Sequence, residues 1–185
     1  MNRYELLKLL YPIIKNELVI CNIGIPSQEL YDLGDRDNFF YMLGSMGLSS
    51  SIGLGLALST DKKVIALDGD GSILMNLGSL STIANLCPQN YLLIILDNGT
   101  YGSTGDQPTF SQARTSIAGI AKSAGCLNVI ECDARNAFEN VKATLSKLTE
   151  LTIMVIKINP GNTSVKPIPL NPVYIRERFR KIVLS

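Results

Sequence analysis

Val64-Ile65-Ala66-Leu67-Asp68-Gly69-Asp70-Gly71-Ser72 is the stretch on which the fold turns. Four apolar residues without polar alternation read as a strand buried on both faces, the kind found in parallel sheets covered by helices. The glycines after it make a tight turn, and Ser72 opens a helical run to Leu86, so the segment reads as strand, glycine turn and helix. Such a turn brings backbone N–H groups and the positive end of a helix dipole to the carboxyl edge of the strand, where open α/β sheets bind phosphate. An aspartate there repels phosphate unless a cation stands between them. Asp70 therefore points to Mg²⁺, a hard ion served by carboxylate, amide and carbonyl oxygens. A plain turn whose aspartate caps the helix is the simpler alternative.

The same grammar repeats on either side. Strands are expected at Leu18–Asn22, Phe39–Leu43, Val64–Leu67, Tyr91–Asp97, Asn128–Cys132 and Thr152–Ile158. Helices are expected at Arg3–Lys15, Ser27–Leu33, Met46–Ser59, Ser72–Leu86, Ser111–Ala124, Ala134–Leu148 and Val173–Ile182, with Pro12 shortening or kinking the first. This alternation predicts a doubly wound α/β domain: a mostly parallel six-stranded sheet, helices on both faces and right-handed crossovers. One domain is expected over residues 1–185, closed by an extended proline-rich tail and a C-terminal helix over 159–185. Residues 98–109, rich in Gly, Thr and Ser, form an ordered functional loop or a mobile one.

A second chemical element sits at the next strand. Tyr91–Leu96 runs into Asp97-Asn98-Gly99-Thr100-Tyr101-Gly102. If the two strands are neighbours, the Asn98 side-chain oxygen and the Thr100 carbonyl come close to Asp70, an oxygen set suited to Mg²⁺ with diphosphate and water completing the shell. A hairpin-like Asn-Gly turn is the alternative. A third element, Gly44-Ser45-Met46-Gly47, precedes a helix of small residues from Leu48 to Leu58; taken alone, Met46 reads equally well as a core methionine.

Composition narrows the chemistry. Apolar residues make up 46% of the 185 and charged residues 18%, a globular balance, and a net charge of +1 gives no field to attract nucleic acid or an anionic membrane. The opening MNRYELLKLL lacks a small-residue cleavage site, and no apolar run is long enough to span a bilayer, so a cytoplasmic location is expected. The four cysteines form no C-x-x-C pair. The absence of histidine excludes His-based acid–base catalysis, a Ser-His-Asp triad and the usual zinc sites on this chain. Catalysis, if any, needs a cofactor, a partner chain or both.

G-D-G at 69–71, followed at a distance by Asn98, resembles the two-part signature of thiamine diphosphate enzymes, whose second part ends in paired asparagines; here the pair is Asp97-Asn98. The resemblance implies the diphosphate-binding (PP-type) domain of that family. It implies that Asp70, Asn98 and the Thr100 carbonyl hold Mg²⁺, and that Gly69, Gly71, Ser72 and the Tyr101–Gly102 turn face the diphosphate. Gly44-Ser45-Met46-Gly47 is similar to the turn that lies beneath the aminopyrimidine ring in decarboxylases of the family. By that likeness the Gly44 carbonyl accepts from the 4′-amino group, and the Ser45–Met46 turn lies against the ring. Met46 wedges the cofactor into its bent shape, which brings the cofactor's own base to the thiazolium C2 proton.

Asn22–Tyr31, Asn38–Gly47 and Tyr101–Thr109 look like the corresponding stretches of sulfopyruvate and phosphonopyruvate decarboxylases. Leu48 stands where the phosphonopyruvate enzymes typically have histidine, which favours the sulfopyruvate enzyme and, with it, coenzyme M biosynthesis. In this family a glutamate of a second, similarly folded domain activates the pyrimidine. None of Glu5, Glu17, Glu29, Glu131, Glu139, Glu150 and Glu177 stands in that context, so an α subunit carrying the pyrimidine-binding domain is expected as partner. A sulfonate or phosphonate would need cations, for which Arg36, Arg114 and Lys122 are available. The alternatives are an acetolactate synthase-like subunit, a ferredoxin-linked oxidoreductase subunit, whose clusters these cysteines are not spaced to bind, and a non-catalytic nucleotide-binding or scaffold module.

Overall fold

The computed structural model describes residues 1–185. In chain order the elements are α1 (Arg3–Leu10), β1 (Leu18–Cys21), α2 (Ile25–Leu33), β2 (Phe39–Tyr41), α3 (Ser49–Ser59), β3 (Val64–Gly69), α4 (Asp70–Leu74), α5 (Gly78–Leu86), β4 (Tyr91–Asp97), β5 (Thr100–Tyr101), β6 (Gln107–Pro108), α6 (Ile117–Ser123), β7 (Asn128–Asp133), α7 (Ala134–Ser146), β8 (Thr152–Lys157) and α8 (Pro172–Leu184). Six strands form one all-parallel sheet in the order β2-β1-β3-β4-β8-β7, and β5 and β6 form a separate antiparallel pair. All six expected strands are present, with helices on both faces. No helix is long and apolar enough to cross a membrane.

Side chains along the central strands alternate between two cores. Val19, Ile65, Leu67, Leu92, Ile94 and Met154 pack under α1, α2 and α7. Leu18, Ile20, Val64, Ala66, Leu93, Ile95, Ile153 and Val155 pack under α3, α5, α6 and α8. Each fully buried aliphatic side chain contributes about 1.5–3 kcal/mol of transfer free energy. This two-sided burial is why β3 and β4 show no polar alternation.

Several helices differ from the sequence expectation, each for a local reason. α1 ends at Leu10, with Tyr11 as its C-cap, because Pro12 comes next and cannot continue the helix. α3 starts at Ser49, not Met46, because Ser45 (φ 61°) and Gly47 (φ 93°) occupy left-handed conformations that a helix excludes. The run from Ser72 to Leu86 divides into α4 and α5, and at the break the Asn76 amide donates to the Gly47 carbonyl at 2.9 Å. α6 begins only at Ile117, because Thr109 and Ser111 hydrogen-bond with Asp70 instead of entering the helix. Residues 159–171 run without regular structure, and α8 then packs beside β2, where Arg178 pairs with Asp35.

Strand order places the site. β1 leads outward to β2, while the chain leaving β2 returns to the other side of β1 as β3. The loops after β1 and β3 therefore diverge and leave a crevice at their carboxyl ends, the usual ligand position in doubly wound sheets.

Candidate functional site

The crevice is a cavity of about 250 Å³. Asn22, Ile23, Gly24 and Pro26 line it from the β1 side, residues 68–72 from the end of β3, and Asn98, Thr100, Tyr101 and Gly102 from beyond β4. Gly69, Asp70, Gly71, Ser72, Asn98, Thr100, Tyr101 and Gly102 thus meet in one place, and Met46 joins them. Gly44 and Ser45 stand exposed beside the cavity and do not line it. A larger hollow of about 700 Å³ lies at the opposite edge of the sheet, among Thr60, Asp61, Cys87 and Asn90, and gathers no chemistry-bearing cluster.

Asp70 opens α4 and is 2% exposed. One of its oxygens accepts from the hydroxyls of Thr109 and, at 3.1 Å, Ser111. No lysine or arginine pairs with it. Burial pushes the Asp70 carboxyl above its usual range; the Thr109 hydroxyl opposes this, and the charge of Asp97 adds to it. A buried carboxylate served only by neutral donors is electrostatically incomplete, and a divalent cation is the natural complement. Asp70, Asn98 and Thr100 on one cavity offer a carboxylate, an amide and a backbone carbonyl, a hard oxygen set of the kind that suits Mg²⁺ held jointly with a phosphorylated ligand.

The phosphate side fits as well. No side chain caps α4, which leaves its first-turn amides available to a ligand. At Gly71 an added Cβ would lie 2.4 Å from the Tyr101 ring, so only glycine lets Tyr101 close over this turn. Gly99 has φ 70°, a left-handed turn, and the Asn98 side-chain oxygen accepts from the Thr100 N–H at 3.1 Å. Beyond it β5 and β6 pair, and the Thr109 N–H donates to the Gly99 carbonyl at 2.8 Å. The segment expected to be either ordered or mobile is an ordered hairpin that returns Thr109 to Asp70.

Ser72 lines the cavity, but its hydroxyl accepts from the Gly47 N–H at 2.9 Å. It thereby ties the turn of Asp70 to the turn carrying Met46. Asp68 is a further buried carboxylate of this wall, pushed up by burial while the hydroxyls of Ser49 and Ser72 oppose that shift.

Of the cations considered from sequence, Arg36 stacks over the Tyr11 ring at 3.8 Å, and Arg114 and Lys122 are exposed and away from the cavity. Arg3 is the one lysine or arginine on the lining. Nothing in its sequence context announces this, because its neighbours there come from residues far along the chain. The lining contains no glutamate.

Fold and site together define a domain that holds a phosphorylated cofactor and a divalent metal at the carboxyl edge of a parallel sheet. Residues 23–158 match the model of the thiamine pyrophosphate enzyme C-terminal TPP-binding domain. Over 183 residues, 99% of this chain and 98% of the relative, the sequence is 47% identical to the sulfopyruvate decarboxylase subunit beta of Methanococcus maripaludis. It is 40% identical to the sulfopyruvate decarboxylase of Methanosarcina acetivorans, covering 91% of this chain but 43% of that one. The thiamine diphosphate-dependent 4-hydroxybenzoylformate decarboxylase of Rhodococcus jostii shares the fold at a TM-score of 0.67 and 20% identity, over 88% of this chain and 33% of that one. The chain belongs to the thiamine diphosphate-dependent decarboxylases, as a subunit contributing their C-terminal cofactor-binding domain. The resemblance, the fold and the cofactor expected from the sequence all agree with these comparisons.

Proposed function

We propose that the chain is the β subunit of a sulfopyruvate decarboxylase, which releases CO₂ from sulfopyruvate to give sulfoacetaldehyde in coenzyme M biosynthesis, working in the cytoplasm. The observation that carries the reading is Asp70, a buried carboxylate with no lysine or arginine partner, sharing its cavity with Asn98 and Thr100. The near full-length match to sulfopyruvate decarboxylase β subunits supports the substrate.

When bound, thiamine diphosphate supplies a carbanion and an electron sink for decarboxylation of a 2-oxoacid. Asp70, Asn98 and the Thr100 carbonyl hold Mg²⁺, and Gly69, Gly71 and the Tyr101–Gly102 turn receive the diphosphate. Ser72 keeps the Met46 turn at a set distance from the metal turn. Gly44 and Ser45 present backbone to the pyrimidine, and Met46 sets the bend of the cofactor.

The activating glutamate comes from an α subunit. Glu29, the one buried glutamate, is consumed by Arg3, and no glutamate lines the cavity. The surface beside the cavity suits a partner: Leu43, Leu48, Ile52 and Met75 are 62%, 42%, 38% and 61% exposed around the Met46 turn. The test is to assemble the chain with its α subunit and measure CO₂ release from sulfopyruvate, phosphonopyruvate and pyruvate with thiamine diphosphate and Mg²⁺. Sulfopyruvate is expected to be the preferred substrate, and release from none of the three would overturn the reading.

A further inference from the structure

The cavity has two facing outer walls. One begins at Gly24, just before α2, and the other is the turn Gly102–Thr104 beyond β5. They approach closely, since a Cβ placed on Gly24 would lie 3.6 Å from the Ser103 hydroxyl. Neither wall belongs to a strand of the main sheet, so ladder hydrogen bonds do not set the gap between them.

A chain of polar contacts, anchored on a buried ion pair, crosses behind that gap. Glu29 of α2, fully buried, accepts from Arg3 Nε at 2.6 Å. Arg3 Nη2 donates to Asn162 Oδ1 at 2.8 Å, and Asn162 Nδ2 donates to the Gly102 carbonyl at 2.8 Å. The second oxygen of Glu29 accepts from the Thr163 N–H at 2.9 Å, and the Asn159 N–H donates to the Met1 carbonyl at 2.9 Å. The start of the chain and the proline-rich tail are thus bonded to each other and to both walls. Gly102 conforms to this arrangement, because a Cβ there would lie 3.0 Å from the Asn162 amide.

We propose that Glu29, Arg3 and Asn162 form a clasp that sets the width of the cofactor cavity and retains thiamine diphosphate, with Asn162 as its positioning residue on the Gly102 turn. The inference rests on the cavity being the cofactor site. Asn162 is suited to the task because its amide both accepts and donates, joining a cation on one side to a carbonyl on the other. Removing its donor leaves the Gly102 carbonyl without that partner and loosens the tie between the tail and the turn that directly follows Tyr101, whose ring lies against Gly71.

The experiment uses the chain assembled with its α subunit and loaded with thiamine diphosphate and Mg²⁺. Cofactor release after dilution, kcat at saturating cofactor and melting temperature are compared for wild type, Asn162→Ala and Asn162→Asp. Asn162→Asp keeps an acceptor for Arg3 but cannot donate to Gly102. Both variants are expected to release cofactor about fivefold faster, as loss of one hydrogen bond implies, with kcat at saturation close to wild type. In the cofactor-free state, where ligand binding adds nothing to stability, Asn162→Asp is expected also to keep the wild-type melting temperature, its carboxylate still pairing with Arg3. A merely structural role would lower melting temperature and kcat together and overturn the proposal, as would wild-type release from both variants. Asp70→Ala serves as the control. If it too holds the cofactor like wild type, the cofactor reading of the cavity fails, and not the clasp alone.

Discussion

Lys157 and Asp97, register partners at the ends of the adjacent strands β8 and β4, form an ion pair beside the metal-side cavity wall. The Asp97 side chain is 2% exposed and that of Lys157 is 46% exposed. This pair explains how the chain carries aspartate where the family signature has the first of two asparagines: the added charge has a dedicated counterion. The other Asp97 oxygen accepts from Ser111 at 2.8 Å and from the Gly99 N–H at 3.1 Å, so the pair also steadies the loop that reaches Asp70.

Lys157→Met is therefore expected to destabilise the chain by about 1–3 kcal/mol, the cost of leaving a buried charged acceptor uncompensated, and toward the low end because the lysine is half exposed. In an Asp97→Asn background the same substitution should cost much less, since the neutral amide needs no counterion. Urea denaturation of the four proteins gives the coupling directly. Simple additivity of the two losses would show that the pair is incidental.

Thr109 donates to the carboxylate assigned to the metal, and outer partners of metal ligands typically carry a factor of about 10–100 in affinity. Thr109→Val is expected to raise the Mg²⁺ concentration needed for half-maximal activity of the assembled enzyme by about tenfold, with little change in kcat at saturating Mg²⁺. Titration with Mg²⁺ at fixed cofactor checks it. An unchanged Mg²⁺ requirement would detach Thr109 from the metal site.

The same contact shows what a sequence does and does not make legible. β3 and β4 are plain because two-sided burial removes polar alternation, and the residues that meet at the cavity from their ends stand out because glycines and oxygen-bearing residues cluster there in the sequence. Thr109 stands in the sequence only as the end of a motif, since its role depends on the short β5–β6 pair, whose two-residue strands leave no periodic trace. Arg3 and Asn162 are hidden for a stronger reason: they meet across nearly the whole chain, and nothing local to either marks a contact with the other. The reading of Ser72–Leu86 as one helix fails because the break at Asn76 serves Gly47, a tertiary partner that outweighs local helix preference.

Gly71→Ala tests the closure of Tyr101 over the phosphate-side turn. With the new methyl 2.4 Å from the ring, the tyrosine must swing away, while the sheet beneath need not move. The expected result is weaker thiamine diphosphate binding by calorimetry on the assembled enzyme, with an unfolding midpoint in the cofactor-free state close to wild type. A fall in the midpoint with unchanged binding would mean that the glycine serves folding alone.

The cysteines divide by environment. Burial pushes the Cys21 thiol up to about 12 and raises Cys126 and Cys132 as well, whereas Cys87 is exposed in a left-handed turn after α5. Because the thiolate is the reactive form, native protein at about pH 8 should be alkylated by iodoacetamide first and fastest at Cys87, and Cys21 should resist until the chain is unfolded in urea. Peptide mass spectrometry reads the order. Early labelling of Cys21 would contradict the packing of β1.

The surface expected to meet the α subunit makes the sharpest demand. α3 carries no charged residue, yet only Ser49, Ser50, Gly53, Leu54 and Ala57 are buried, while Leu48, Ile52 and Gly55 line up along the outside at helical spacing. A helix without a charged outer face belongs inside a larger assembly, and this one starts from the turn that carries Met46. Placing a charge there should harm assembly and not folding, because Ile52 is already 38% exposed in the isolated chain. Ile52→Asp is expected to keep the wild-type circular dichroism spectrum and urea midpoint while weakening association with the α subunit by at least about tenfold, the loss expected when a charge is forced into an apolar contact. Sedimentation of the mixed subunits measures this. If the Ile52→Asp chain assembles as tightly as wild type, the partner approaches the cofactor from another side.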